Sequence, residues 1–392
     1  MADQTLYIDG VNNSGNKQFV SLDAAMDYAV ANWPDLTTLA GKINFEISIT
    51  TEDTLAATTT GFSNATSSYY LNIYTTAAAR HAGVWSNSKY RLTRSTTYST
   101  PLTIVTPYTR VTGLQVLSSN ATTNGNKALI VASGAVGSVI IDSCIMRCNS
   151  TGTAADASVV IVSASNTTAY LRNCIIYGST AGPGGIYTGT LGILYAQNCT
   201  IYVPNAVAAA YRASGSIYLD SCYLGGPTDT IYSATSETNC ATSDDDASDA
   251  NLRSIAASTS SGAYFTNVDS GTEDFTIKSD SLLIGEGSDM SGTYTYDIKG
   301  STRTLPYDIG AFEYLSTAQY ARPNSDVADG NWLNQASSNV NLYASIDEET
   351  ANDTDYIRSG SSPSDDTCTV GLSSISTPAA GTVTMRVRAR FL

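Results

Sequence analysis

Several groups of residues in this chain have types and spacings that could do chemistry. Four cysteines, Cys144, Cys174, Cys199 and Cys222, recur 30, 25 and 23 residues apart. Thiolates at recurring positions can ligate zinc or pair as disulfides. Two places before each cysteine stand Asp142, Arg172, Gln197 and Asp220, and two carboxylates flanking a glycosidic bond can cleave it as acid and base or nucleophile. The single histidine, His81, lies in Arg80-His81-Ala82-Gly83-Val84-Trp85. One histidine excludes multi-histidine metal centres but leaves a Ser-His-Asp arrangement formally open. Asp244, Asp245, Asp246 and Asp249 offer hard oxygens to calcium, although without the Gly-punctuated spacing of a dedicated loop. Arg303, Asp308 and Glu313 form a last charged group.

The elements that position these residues follow from the frame around the cysteines. Ile141-Asp142-Ser143-Cys144-Ile145-Met146, Leu171-Arg172-Asn173-Cys174-Ile175-Ile176, Ala196-Gln197-Asn198-Cys199-Thr200-Ile201 and Leu219-Asp220-Ser221-Cys222-Tyr223-Leu224 share one pattern, and Val111-Thr112-Gly113-Leu114-Gln115-Val116 fits it with Leu114 in the cysteine place. A period of 20 to 30 residues with strand-like segments means a solenoid. On a straight strand Leu171 and Cys174 would face opposite sides, yet both are residue types that prefer the interior. A bend at the small polar residue between them turns both inward. Strand, corner, strand is one coil of a parallel β-helix. Leu114, Cys144, Cys174, Cys199 and Cys222 then stack as an internal ladder about 4.8 Å apart. Such a ladder makes free thiols acting as apolar filler, because zinc needs ligands that converge on one point. Asp142 and Asp220 fall three coils apart, about 14 Å, whereas glycosidase carboxylates stand roughly 5 to 10 Å apart. A loop histidine packed near Trp85, a solvated acidic loop, and an Arg303 pair with Asp308 or Glu313 that holds the last loop onto the stack are the structural readings of the other groups. No cofactor or metal is implied.

The ends of the stack add detail. Leu6-Tyr7-Ile8 reads as a strand, and a helix from about Leu22 to Trp33 is capped by Ser21, with Leu22, Ala25, Met26 and Ala29 as its apolar stripe. This helix is expected to plug the first coil. The opening strand, Gly/Asn turn and Ser-Leu-Asp-Ala-Ala helix, together with a closing stretch from Asp274 to Gly287, Asp297 to Arg303 and Asp308-Ile309-Gly310-Ala311-Phe312-Glu313-Tyr314, resemble pectate-lyase-like right-handed β-helix proteins of bacterial surfaces and phages. The resemblance implies a right-handed parallel β-helix over residues 1–315, with residues 1–50 as cap and first strands and the closing stretch as terminal coil. It says little about activity, since the fold hosts lyases, depolymerases and inert fibres. Arg172 between two carboxylates resembles a lyase base, but the calcium-binding carboxylates that accompany one are missing from the frame.

After the short Ser316–Gln319 stretch, residues 320–392 alternate β-type runs with turns, which suggests a small antiparallel β-sandwich of jelly-roll type. Arg322–Val327, Trp332, Asn341–Tyr343 and Ile346–Glu348 are similar to C-terminal modules of phage and bacterial proteins. Attachment, oligomerisation and glycan binding are all open to it. Arg386, Arg388 and Arg390 share one face of a strand, to meet acidic neighbours at an interface or to protect an edge.

Composition bounds the function. Of the 392 residues 42% are hydrophobic and only 14% charged, with 25 tyrosines and a net charge of −15. Such a charge disfavours nucleic acid and anionic membranes, and no apolar run of about 18 residues predicts membrane insertion. The opening residues lack the basic and apolar regions of a signal peptide. The expectation is therefore a non-enzymatic virion protein of a bacteriophage, such as a capsid decoration, head fibre or tail fibre, released by lysis. Its expected partners are other virion proteins, a host-surface glycan, or two further copies in a homotrimer. The alternatives are a polysaccharide-degrading tailspike or lyase on the same scaffold, and a bacterial surface adhesin.

Overall fold

The structure, a computed structural model, describes residues 3–39, 41–96, 100–119, 127–132, 136–149, 158–163, 167–178, 184–189, 191–206, 208–225, 231–243, 252–254, 264–315, 323–346, 356–359 and 367–372. Two compact units divide the chain, Met1–Tyr314 and Leu315–Leu392.

One coil shows why the first unit winds as it does. Along Thr167–Arg172 the side chains alternate between buried and half-buried, as one covered sheet face requires. Asn173 then takes the left-handed conformation, φ 49°, and a second strand, Ile175–Tyr177, leaves at an angle. Ser143, Asn198, Ser221 and Asn239 repeat that corner with φ between 47° and 55°, and Gly113 does so at 77°. Asn and Gly tolerate this conformation at least cost. A third strand, such as Gly184–Thr188, completes the coil. Stacking gives three parallel sheets with ten, nine and seven strands among the described residues. The all-β architecture is the expected right-handed parallel β-helix.

The cysteine ladder stands between two in-register rows. Asp142, Arg172, Gln197 and Asp220 pair on one side of the corner, and Ile145, Ile175, Thr200 and Tyr223 on the other. Leu114, Cys144, Cys174, Cys199 and Cys222 are buried in one continuous core, and every cysteine in the chain is unbridged. Each fully buried Leu or Ile in this core contributes about 1.5–3 kcal/mol. Burial pushes the Cys144 and Cys148 thiols up to about 12, so they are inert filler rather than nucleophiles.

The first coil is plugged by α1 (Leu22–Asn32), whose Ser21 hydroxyl accepts from the Ala24 N–H. The Asp53 carboxylate accepts from the Leu22 N–H and the Tyr90 hydroxyl, fixing the helix start against the stack. Leu22, Ala25, Met26 and Ala29 face the interior, and the open strand edge is taken by Gln18–Phe19, which pairs with Gln4–Ile8.

The closing stretch departs from the expected terminal coil. A hairpin of Phe265–Asn267 and Asp274–Ile277 and the segment from Ser281 to Tyr314 lie against the outer wall of the second sheet and its corners. A second apolar cluster forms there, in which Ile145, Ile175 and Tyr223 of the wall meet Phe265, Phe275, Leu283, Ile298, Ile309 and Phe312. The reason is in the wall itself, where Ile145, Ile175 and Tyr223 point outward and need cover. Gly83 admits the ring of Phe312, since a Cβ at that place would stand 2.6 Å from it. The second unit contains two small antiparallel sheets, Pro323–Ala328 with Thr369–Leu372 and Leu333–Asn334 with Ile357–Arg358.

Candidate functional site

The outer face of the first sheet carries polar and aromatic groups, most of them half-buried, in two in-register rows. One outward row brings Asp142, Arg172, Gln197, Asp220 and Thr238 into register. Beside it Tyr170, Tyr195, Tyr218 and Ser236 form a second. Alternation puts both rows on one face because their members stand two residues apart. The tyrosine rings stack as a column, with centroids 5.1 Å apart from Tyr170 to Tyr195 and 4.5 Å from Tyr195 to Tyr218. Arg172 lies over the Tyr170 ring, 5.2 Å from its centroid, and its Nε donates to Gln197 Oε1 at 3.2 Å. The column ends at Tyr218, because the next place in register holds the small Ser236. There a shallow hollow of about 190 Å3 opens, lined by Tyr195, Gln197, Tyr218, Asp220, Ser236 and Thr238.

The folded-back segment borders this face. Ser288 Oγ donates to Asp220 Oδ1 at 2.6 Å, Tyr296 donates to Asp142 Oδ2 at 2.8 Å, and Tyr294 donates to Asn198 Oδ1 at 2.8 Å. Burial raises the Asp220 carboxyl above its usual range, against the hydrogen bonds of Ser288 and Ser221. Asp142 and Asp220 keep the three-coil separation that the sequence frame implies, about 14 Å, and each is engaged by hydroxyls. The row therefore does not form a two-carboxylate glycosidase pair.

Arg303, Asp308 and Glu313 meet in a latch. The Arg303 guanidinium is buried and donates to Glu313 Oε2 at 3.2 Å, to Asn173 Oδ1 at 2.9 Å, and to the carbonyls of Gly310 and Ala311 at 2.9 and 3.1 Å. The Asp308 carboxylate accepts instead from the Gly285 and Tyr314 N–H groups. Burial above all lifts its carboxyl to about 6. The latch thus ties the segment to the corner of an interior coil rather than to the end of the stack. His81 is buried, its Nδ1 accepts from the Gly83 N–H at 3.0 Å, and burial lowers its pKa to about 3. Neutral imidazole held this way supports the loop at Gly83.

Two sequence signals now have their meaning. Cys240 extends the ladder by one coil, after Asn239 at the corner; its spacing of 18 residues from Cys222 hid it. Tyr170, Tyr195 and Tyr218 stand four places upstream of Cys174, Cys199 and Cys222 and share their intervals of 25 and 23, so the column was readable from the frame. Arg386, Arg388, Arg390 and the Asp244–Asp249 run lie outside the described residues.

No family model and no curated protein matches the chain. Solved structures do match in fold. A pectin methylesterase from Aspergillus niger, solved in two deglycosylated forms, is 12% identical with a TM-score of 0.41, covering 65% of this chain and 90% of that one. Pectate lyase Pel9A is 12% identical with a TM-score of 0.36, covering 80% and 96%. The expectation that the chain is not an enzyme finds no support in these neighbours, a methylesterase and a lyase. At this identity the likeness is one of fold alone, the parallel β-helix.

Proposed function

We propose that this chain is a rigid β-helical component of an extracellular assembly, a bacteriophage particle, that engages surface polysaccharide along the outer face of its first sheet. The observation that carries this reading is the in-register column Tyr170, Tyr195 and Tyr218 beside Arg172, Gln197 and Asp220. Aromatic rings with polar neighbours in a shallow hollow suit a ligand that is apolar on its ring faces and polar at its edges. Coils that each bury their core against two neighbours make the face stiff, so a bound chain meets preorganised contacts. The low share of charged residues, 14%, suits a particle surface, and the second unit is then the attachment or oligomerisation module, jelly-roll in kind. Virion proteins are the proposed partners and a homotrimer the proposed assembly.

The test is co-sedimentation of the full chain with purified capsular polysaccharide and lipopolysaccharide, followed by sizing of the glycan. Binding that weakens at least tenfold in Tyr195→Ala supports the reading, and shortened glycan chains would add polysaccharide processing to it. Equal binding by wild type and Tyr195→Ala on every glycan would remove the face from the argument.

A further inference from the structure

The hollow at the end of the tyrosine column has a chemistry of its own. Tyr218 is stacked on one side by Tyr195, 4.5 Å away. On its other side the register place belongs to Ser236, which is too short to cover a ring. The hollow therefore presents one aromatic face, and the hydroxyls of Ser236 and Thr238 and the amide of Gln197 stand around it. The ionisable lining groups are Tyr195, Tyr218 and Asp220. Both hydrogen bonds that the Asp220 carboxylate accepts, from Ser221 Oγ and Ser288 Oγ, fall on Oδ1. Among the described residues its Oδ2 accepts none, and it is left to receive hydroxyl or ammonium donors. The nearest cation in the row, Arg172, is turned to Gln197, Tyr170 and Tyr294.

We propose that this hollow is a subsite for a single neutral or amino hexopyranose, one that excludes uronic acids. The sugar ring lies on the open Tyr218 face, and its vicinal hydroxyls or amino group donate to Asp220 Oδ2, with Ser236, Thr238 and Gln197 completing the edge. A uronate carboxylate brought beside Asp220 is repelled, and like-charge juxtaposition is how binding sites reject wrong partners. The net charge of −15 adds repulsion of any polyanion at long range. The inference rests on the proposed glycan-engaging role of this face and narrows it to a substrate class.

The experiment is isothermal titration of the full chain with three oligosaccharide sets of matched length: neutral gluco- and galacto-oligosaccharides, partly deacetylated chito-oligosaccharides, and oligogalacturonates. Neutral or amino sugars should bind at least tenfold more tightly than the uronates. Ser236→Tyr, which continues the column and fills the hollow, should lose binding at least tenfold while keeping the wild-type melting temperature. Asp220→Asn should raise uronate affinity relative to neutral sugars. Uronates bound as tightly as neutral sugars would overturn the selectivity and leave glycan engagement standing. Glycan binding undiminished in a folded Ser236→Tyr would move the subsite elsewhere, and no binding to any set would overturn both readings.

Discussion

Replacing Arg303 by Met tests the latch and, through it, the folded-back segment. Arg303 and Glu313 side chains are 0% and 1% exposed, so the substitution leaves a buried carboxylate without its cation. Removing one partner of a buried pair costs about 3–5 kcal/mol. Glu313 keeps the Thr304 N–H and hydroxyl and the Asp308 N–H as donors, which places the cost at the lower end of that range. Asn173 Oδ1 and the Gly310 and Ala311 carbonyls also lose their donor. At about 1.4 kcal/mol per tenfold, the opening equilibrium of the segment should rise by roughly two to three powers of ten. Hydrogen exchange followed by mass spectrometry reads this directly. Peptides from 281–314 should lose that much protection while those from Thr167–Arg172 keep theirs, since the ladder coils bury their own core. The double variant Arg303→Met/Glu313→Gln should recover part of the loss, because no unpaired charge remains. A change of less than tenfold in Arg303→Met, or equal loss in the coil strands, would refute the latch as the element that holds the segment.

Three further outcomes follow from particular groups. In the native chain a thiol reagent should label Cys368, which is partly exposed, while the six buried cysteines react after denaturation; rapid native labelling of Cys144 or Cys174 would contradict an inert ladder. Asp308 has a folded pKa of about 6 against 3.8 for the free carboxyl, so the folded state holds a proton that the unfolded chain has released. Its contribution is complete below about pH 4 and lost as pH rises through 6, up to about 3 kcal/mol; Asp308→Asn should flatten that part of the melting-temperature profile, and an unchanged slope would count against it. Asn198→Ala loses the hydrogen bonds to Tyr294 Oη and the Asp308 carbonyl at a left-handed corner. It should destabilise the first unit by about 2–4 kcal/mol in denaturant melts, the sum of corner strain and an orphaned buried hydroxyl.

The coil was legible in the sequence because its corner is chemically restricted. Only a small residue that tolerates positive φ fits between Leu171 and Cys174, and the interior place after it admits only a compact apolar side chain. Those two demands wrote the Asn/Ser–Cys pair repeatedly into the chain. The helix cap was legible for a similar reason, since Ser21 and the stripe from Leu22 to Ala29 are local signals. The placement of residues 281–314 was not. Its contacts join residues more than one hundred apart, as Arg303 does with Asn173 and Tyr296 with Asp142, and no period links them. The hollow was hidden because it depends on a small residue, Ser236, at the register place beyond Tyr218.

Latch and hollow are physically connected. Asp220 is held by Ser288 from the folded-back segment and by Ser221 at the corner, and Ser288 also donates its N–H to Ser221 Oγ while accepting from Asn239 Nδ2. Arg303 secures the same segment two corners away, at Asn173. A solenoid coil alone would leave Asp220 with its neighbour on the strand and with water. The segment supplies the second hydroxyl that fixes the carboxylate, and preorganised polar groups bind with less ordering cost than mobile ones. Loosening the latch should therefore weaken sugar binding at Tyr218 although no residue of the hollow has changed. Such remote loss separates a site built by the whole wall from one built by a single coil.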